Sequence, residues 1–130
     1  MVVGCGIDTE ERSRFDKYLD DISNSGFVKM IYTNREIVNY RSNYRKFIPI
    51  SFCCKEAVFK ALGDSWMTSP VQWKEIELIF DSKNSDNHKI VMSGSAKKIF
   101  DKLNCTKIIS DFKIDSESVT FYVIFLSENM

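Results

Sequence analysis

The stretch "CCKEAVFKALG", residues 53 to 63, reads as a helix, yet it carries Glu56 and Lys60 between bulky apolar groups. The two stand at i and i+4 with the acid N-terminal, the order that favours an ion pair, and lie away from the stripe Cys54, Ala57, Val58 and Ala61. By spacing alone a solvated surface pair is the plainer account, and such pairs are common. The other account is a carboxylate and an ammonium turned toward a ligand. Asp8 poses the same choice. It ends the apolar run "VVGCGID", and an acid at a strand exit serves either as a turn or helix cap or as a ligand. Cys5, Cys53, Cys54 and Cys105 form no C-x-x-C pair, and His88 is the only histidine, which argues against a structural zinc site. The cysteines read as small, reduced, apolar residues of a reducing compartment.

Positioning these groups requires one core, and 130 residues with 44% hydrophobic and 13% aromatic content suffice for a single domain spanning 1-130. Eighteen basic and eighteen acidic residues cancel, so no overall field favours nucleic acid or an anionic membrane, and any anionic ligand must be held locally. No apolar run approaches the ~20 residues of a bilayer span, and the N-terminus lacks the basic flank and length of a signal peptide. A soluble, cytoplasmic protein is expected.

Along the chain, residues 2 to 8 read as a strand with Asp8 at its exit, and Glu10 to Ile22 as a helix burying Phe15, Leu19 and Ile22. "TNREIVNY" opens a second helix, where Thr33 and Glu36 have the spacing of a capping box. Pro49 blocks helix just before the opening stretch and Gly63 closes it. Strands "EIELIF" and "KIVM", a helix "SAKKIFDKL", and the strands "KIISDFKI" and "SVTFYVIFL" follow. In the last, Val119, Phe121, Val123 and Phe125 alternate with polar or outward positions, which predicts a closing antiparallel hairpin. The expected class is α+β, an antiparallel sheet with helices packed on one face.

The chain resembles a known family. "GCGIDTEERSRF" resembles the start of the holo-acyl-carrier-protein synthases, the small phosphopantetheinyl transferases, with Gly6, Ile7, Asp8, Glu11, Arg14 and Phe15 at matching positions. "FCCKEAVFKALG" is similar to that family's Phe-Ala-Ala-Lys-Glu-Ala motif followed by Lys-Ala and Gly, with cysteines at the two alanines. "IYTNREI", "WKEIEL" and "MSGSA" are similar to its later segments, in the same order.

The resemblance implies a phosphopantetheinyl transferase-like fold and an enzyme that moves the phosphopantetheine arm of coenzyme A to a serine of an acyl carrier protein or carrier domain. It implies a Mg2+ ion on Asp8 and Glu56, with Glu56 and Lys60 catalytic and Lys60 facing the phosphates. Lys55 and Gly63 join Lys60 as coenzyme A-binding candidates, Arg14 contacts the carrier, and a homo-oligomer, a trimer in the family, is expected. The chain departs from the pattern at three places. Ser51 replaces an arginine associated with coenzyme A phosphate, Gly63-Asp64-Ser65 replaces a Gly-Thr-Gly, and Asp115 stands near a histidine position. An alternative is a noncatalytic relative that binds a carrier or another partner.

Overall fold

The computed structural model describes residues 1–63 and 70–128. β1 (Val2–Glu11) leads through a 3-10 turn at Arg12–Phe15 into α1 (Asp16–Leu19), α2 (Gly26–Ile31) and α3 (Asn34–Tyr40). The long α4 (Tyr44–Ala61) precedes β2 (Ile76–Phe80), β3 (His88–Met92), α5 (Gly94–Lys102), β4 (Lys107–Ile114) and β5 (Ser118–Leu126).

β5 lies between β1 and β4 in a three-stranded antiparallel sheet, and β2 pairs with β3 in a second. The α+β class holds, but the one sheet expected is two. The closing hairpin has the expected limits, and its inward residues Val119, Phe121, Val123 and Phe125 are at most 1% exposed. They pack on α4, which also meets β2 and α3. The capping box forms as the spacing predicts: Glu36 N–H donates to Thr33 Oγ1 and Thr33 N–H to Glu36 Oε1, both at 3.1 Å.

Two expectations about the N-terminal half are corrected. No helix starts at Glu10. β1 continues to Glu11, paired with Ser118, because the odd positions 5, 7, 9 and 11 stay exposed while 4, 6, 8 and 10 turn inward, a period of two that suits the β5 ladder. Asp8 therefore lies within the strand, opposite Phe121, rather than at its exit.

Pro49 does not block α4 but sits inside its 18 residues. A proline there removes the hydrogen bond to the carbonyl four residues earlier. That carbonyl belongs to Arg45, and Arg12 Nη2 donates to it at 3.3 Å. The lost bond is thus replaced from outside the helix, in part, by a guanidinium of the 3-10 turn.

Candidate active site

The site begins with two glycines. A Cβ at Gly6 would collide with the Ala57 carbonyl oxygen, and one at Gly4 with that of Ala61, so β1 lies directly on the α4 backbone. Only residues without a side chain permit that approach. The next inward residues of β1 are Asp8 and Glu10, which are thereby brought against the same helix.

Between Phe47 and Leu62, every residue of α4 is buried except two: Glu56 is partly covered and Lys60 is exposed. This gap in the helix's burial coincides with Asp8. Lys60 Nζ donates to the Ile7 carbonyl at 2.9 Å and lies 3.3 Å from Asp8 Oδ1, with the lysine side chain 50% and the aspartate 12% exposed. The other carboxylate oxygen, Asp8 Oδ2, is buried with no hydrogen-bond partner among the described residues. Leaving such a buried acceptor unpaired costs about 1–3 kcal/mol. Beneath it, Cys53 is fully buried; burial, then the charges of Asp8 and Glu10, push its thiol pKa up and keep it protonated.

Arg14 borders this cluster. Its Nη1 is 2.8 Å from Glu10 Oε2, and its guanidinium lies over the Phe52 ring at 4.8 Å. Burial works against the charge, but the hydrogen bond and charge of Glu10, with smaller contributions from Tyr18 and Glu56, hold the arginine pKa above its ordinary value. Arg14 thus joins the end of β1, through Glu10, to α4, through Phe52.

A small hard cation suits the Asp8 carboxylate, because a buried, unpartnered carboxylate oxygen offers what such ions coordinate. Among the described residues no three His, Cys, Asp or Glu side chains are grouped to hold a metal. A cation here would draw its remaining ligands from water and substrate.

The remaining sequence candidates sit elsewhere. Lys55, a candidate for coenzyme A, is corrected: it is completely buried, 2.8 Å from Glu36 Oε1, and donates also to the carbonyls of Trp73 and Ile76. Its three protons are committed to the protein, which leaves none for a phosphate. Burial lowers its pKa, partly offset by Glu36. Ser51 lies in the same buried network, donating to Glu36 Oε2 at 3.1 Å, so its position faces α3 and β2 rather than the Lys60 surface. Asp115 caps the β4–β5 turn, accepting from the N–H groups of Glu117 and Ser118 at 2.8 and 2.9 Å. Gly63 is exposed at φ +80°, where it ends α4 in the left-handed region that glycine favours. Asp64 and Ser65 fall outside the described residues. Sequence reasoning missed Glu10, whose pairing with Arg14 has the i, i+4 spacing of a helix but is made across a strand end and a 3-10 turn.

Comparison with known proteins gives a consistent picture. Residues 4–121 match the model of the 4'-phosphopantetheinyl transferase superfamily. A protein named holo-[acyl-carrier-protein] synthase from Buchnera aphidicola subsp. Cinara cedri is 30% identical over 131 residues, which cover 98% of each chain. Its namesake from Trichlorobacter lovleyi is 31% identical over 102 residues, covering 77% of this chain and 78% of its own. Among solved structures, the holo-[acyl-carrier-protein] synthase of Neisseria meningitidis has a TM-score of 0.80 at 18% identity, over 98% of this chain and 100% of that one. The Helicobacter pylori enzyme in complex with coenzyme A has a TM-score of 0.73 at 22% identity, over 94% and 99%. At these identities the solved structures establish the fold.

Proposed function

Because the chain belongs to the 4'-phosphopantetheinyl transferase superfamily, and within it to the holo-acyl-carrier-protein synthases, we propose that it transfers the phosphopantetheine arm of coenzyme A to a serine of an acyl carrier protein or carrier domain. The observation that carries this reading is the Asp8 carboxylate, one oxygen on Lys60 and the other buried without a partner, at the gap in α4 burial where Glu56 also emerges.

In the reaction the serine oxygen forms a bond to the phosphorus next to the pantetheine, and the bond from that phosphorus to the bridging oxygen breaks, releasing adenosine 3',5'-bisphosphate. Asp8 and Glu56 would hold a magnesium ion, which supplies charge neutralisation on the pyrophosphate when bound. Lys60 supplies a second positive charge to the same oxygens. Glu56 accepts the serine proton as the new bond forms. Gly63, just past the end of α4, lets its backbone approach the nucleotide without a side chain in the way. Arg14, half exposed beside these groups, meets the carrier's acidic surface.

We also assign the protein to the cytoplasm and to a homo-oligomer, with no nucleic-acid or membrane partner. Toward the first, zero net charge gives no overall field for nucleic acid or an anionic membrane, and no helix among the described residues is long and apolar enough to cross a bilayer. The outer face of the three-stranded sheet supports the second. There Ile7 is 59%, Tyr122 38% and Ile109 37% exposed, and Ile7 pairs directly with Tyr122.

The test is to incubate the protein with coenzyme A, Mg2+ and apo carrier proteins and to follow the carrier by mass spectrometry. One phosphopantetheine is added to one serine, chelation stops the addition, and Mg2+ restores it. No addition to any carrier, with no coenzyme A binding by calorimetry, would instead identify a noncatalytic, partner-binding relative.

A further inference from the structure

Arg14 is held in place before any partner arrives. Phe52 lies under its guanidinium at 4.8 Å and Phe15 beside it at 5.6 Å, and Phe52 is itself stacked on Trp73 with centroids 5.3 Å apart. The side chain is 49% exposed, so one side of the fork faces solvent, while Glu10 Oε2 occupies Nη1 at 2.8 Å. Glu10 comes from β1, two residues after Asp8, and its side chain is only 19% exposed. It lies outside the motif positions Gly6, Ile7, Asp8, Glu11, Arg14 and Phe15 that carry the family resemblance.

The neighbouring Arg45 and Arg12 are also engaged, the first by a carboxylate and the second by backbone carbonyls. Arg45 lies 3.4 Å from Asp16 Oδ1, and Arg12 donates to the carbonyls of Asp115 at 2.7 Å and Arg45 at 3.3 Å. A carboxylate approaching Arg14 therefore finds a guanidinium already paired and meets the negative charge of Glu10. A half-exposed pair of this sort is a shallow well, so a partner carboxylate can share or displace it. The encounter is weaker than with an unpaired arginine.

We propose that Glu10 is a specificity-determining residue that competes with the carboxylates of an acidic carrier for Arg14, setting how acidic a surface the enzyme must meet before it binds. This rests on Arg14 being a carrier contact. Glu10 acts through Arg14 and touches no reacting atom, so its effect belongs to carrier binding and not to the chemical step.

The test uses the whole protein, coenzyme A and two apo acyl carrier proteins that differ in net negative charge, with initial transfer rates at low and at high ionic strength. Glu10→Gln lowers the KM for carrier about two- to fivefold at low salt, the range set by an exposed ion pair. The gain disappears near about 0.5 M salt, where exposed charges are screened. Glu10→Asp behaves like the parent. Arg14→Ala raises the KM for carrier, and in its background Glu10→Gln has no further effect. If Arg14→Ala raises that KM while Glu10→Gln leaves it unchanged or raises it, the proposal is overturned and the carrier contact stands. If Arg14→Ala has no effect, both fall together.

Discussion

α4 makes two carboxylate–ammonium pairs five residues apart, and they could hardly differ more. In the first, Lys55 and Glu36 are both completely buried at 2.8 Å. Glu36 Oε1 also accepts from the Thr33 N–H, and Oε2 accepts from the Tyr40 hydroxyl, the Ser51 hydroxyl and the Leu78 N–H. Every polar atom of the pair is engaged, tying α3, α4 and β2 together. In the second, Lys60 and Asp8 stand 3.3 Å apart, the lysine half exposed and one aspartate oxygen buried with no protein partner among the described residues. A saturated network has nothing left to offer a substrate. Reactivity lies where the protein leaves coordination unfilled, and stability where it fills it.

Breaking the first pair gives the largest effect. Lys55→Met leaves Glu36 as an uncompensated buried charge and costs about 3–5 kcal/mol, read from the denaturant midpoint. Replacing Glu36 as well does not restore the parent, because the Thr33 N–H, the Ser51 hydroxyl and the Leu78 N–H then lose their acceptor. Breaking the second pair moves a different readout. Asp8→Asn lowers the transfer rate roughly 10²–10³-fold, the scale of losing one charge-stabilising group. Its effect on stability is small beside that of Lys55→Met, since the lysine of this pair is half exposed and the carboxylate already has an unpaired oxygen.

Gly6→Ala joins the two effects. Its Cβ would press on the Ala57 carbonyl and push β1 off α4, at about 1–3 kcal/mol, and the displaced Asp8 lowers the transfer rate as well. The smallest effect belongs to Asp115, far from either pair. The N–H groups of Ser118 and then Glu117 hold its pKa below the ordinary 3.8. Its contribution to the hairpin is therefore present at neutral pH and lost as pH falls below 3.8 through the depressed value. Asp115→Asn lowers the melting temperature slightly at pH 7, and the difference closes in acid.

Much of the frame was legible in local pattern. The Thr33–Glu36 box and the alternation of Val119 to Phe125 each encode a contact within a few residues or one face of a strand. What stayed hidden depends on partners distant in sequence. Lys55 reads, by resemblance, as a coenzyme A candidate until Glu36, Trp73 and Ile76 are folded around it. Pro49 reads as a helix stop because Arg12, 33 residues before Arg45, supplies the replacement for the missing bond. The extension of β1 through Glu11 follows from pairing with β5 at the other end of the chain. For the site, Asp8, Glu56 and Lys60 were visible as types and spacing, whereas the unpartnered oxygen of Asp8 and the counter-ion of Arg14 are properties of the packed molecule.

The most direct test measures two quantities on two proteins: the denaturant midpoint and the rate of phosphopantetheine transfer to an apo carrier, for Lys55→Met and Asp8→Asn. The account predicts that Asp8→Asn keeps the midpoint and loses the transfer, while Lys55→Met loses midpoint yet, under conditions where it is folded, transfers at a rate near the parent's. Parent-like transfer by a folded Asp8→Asn protein would contradict it.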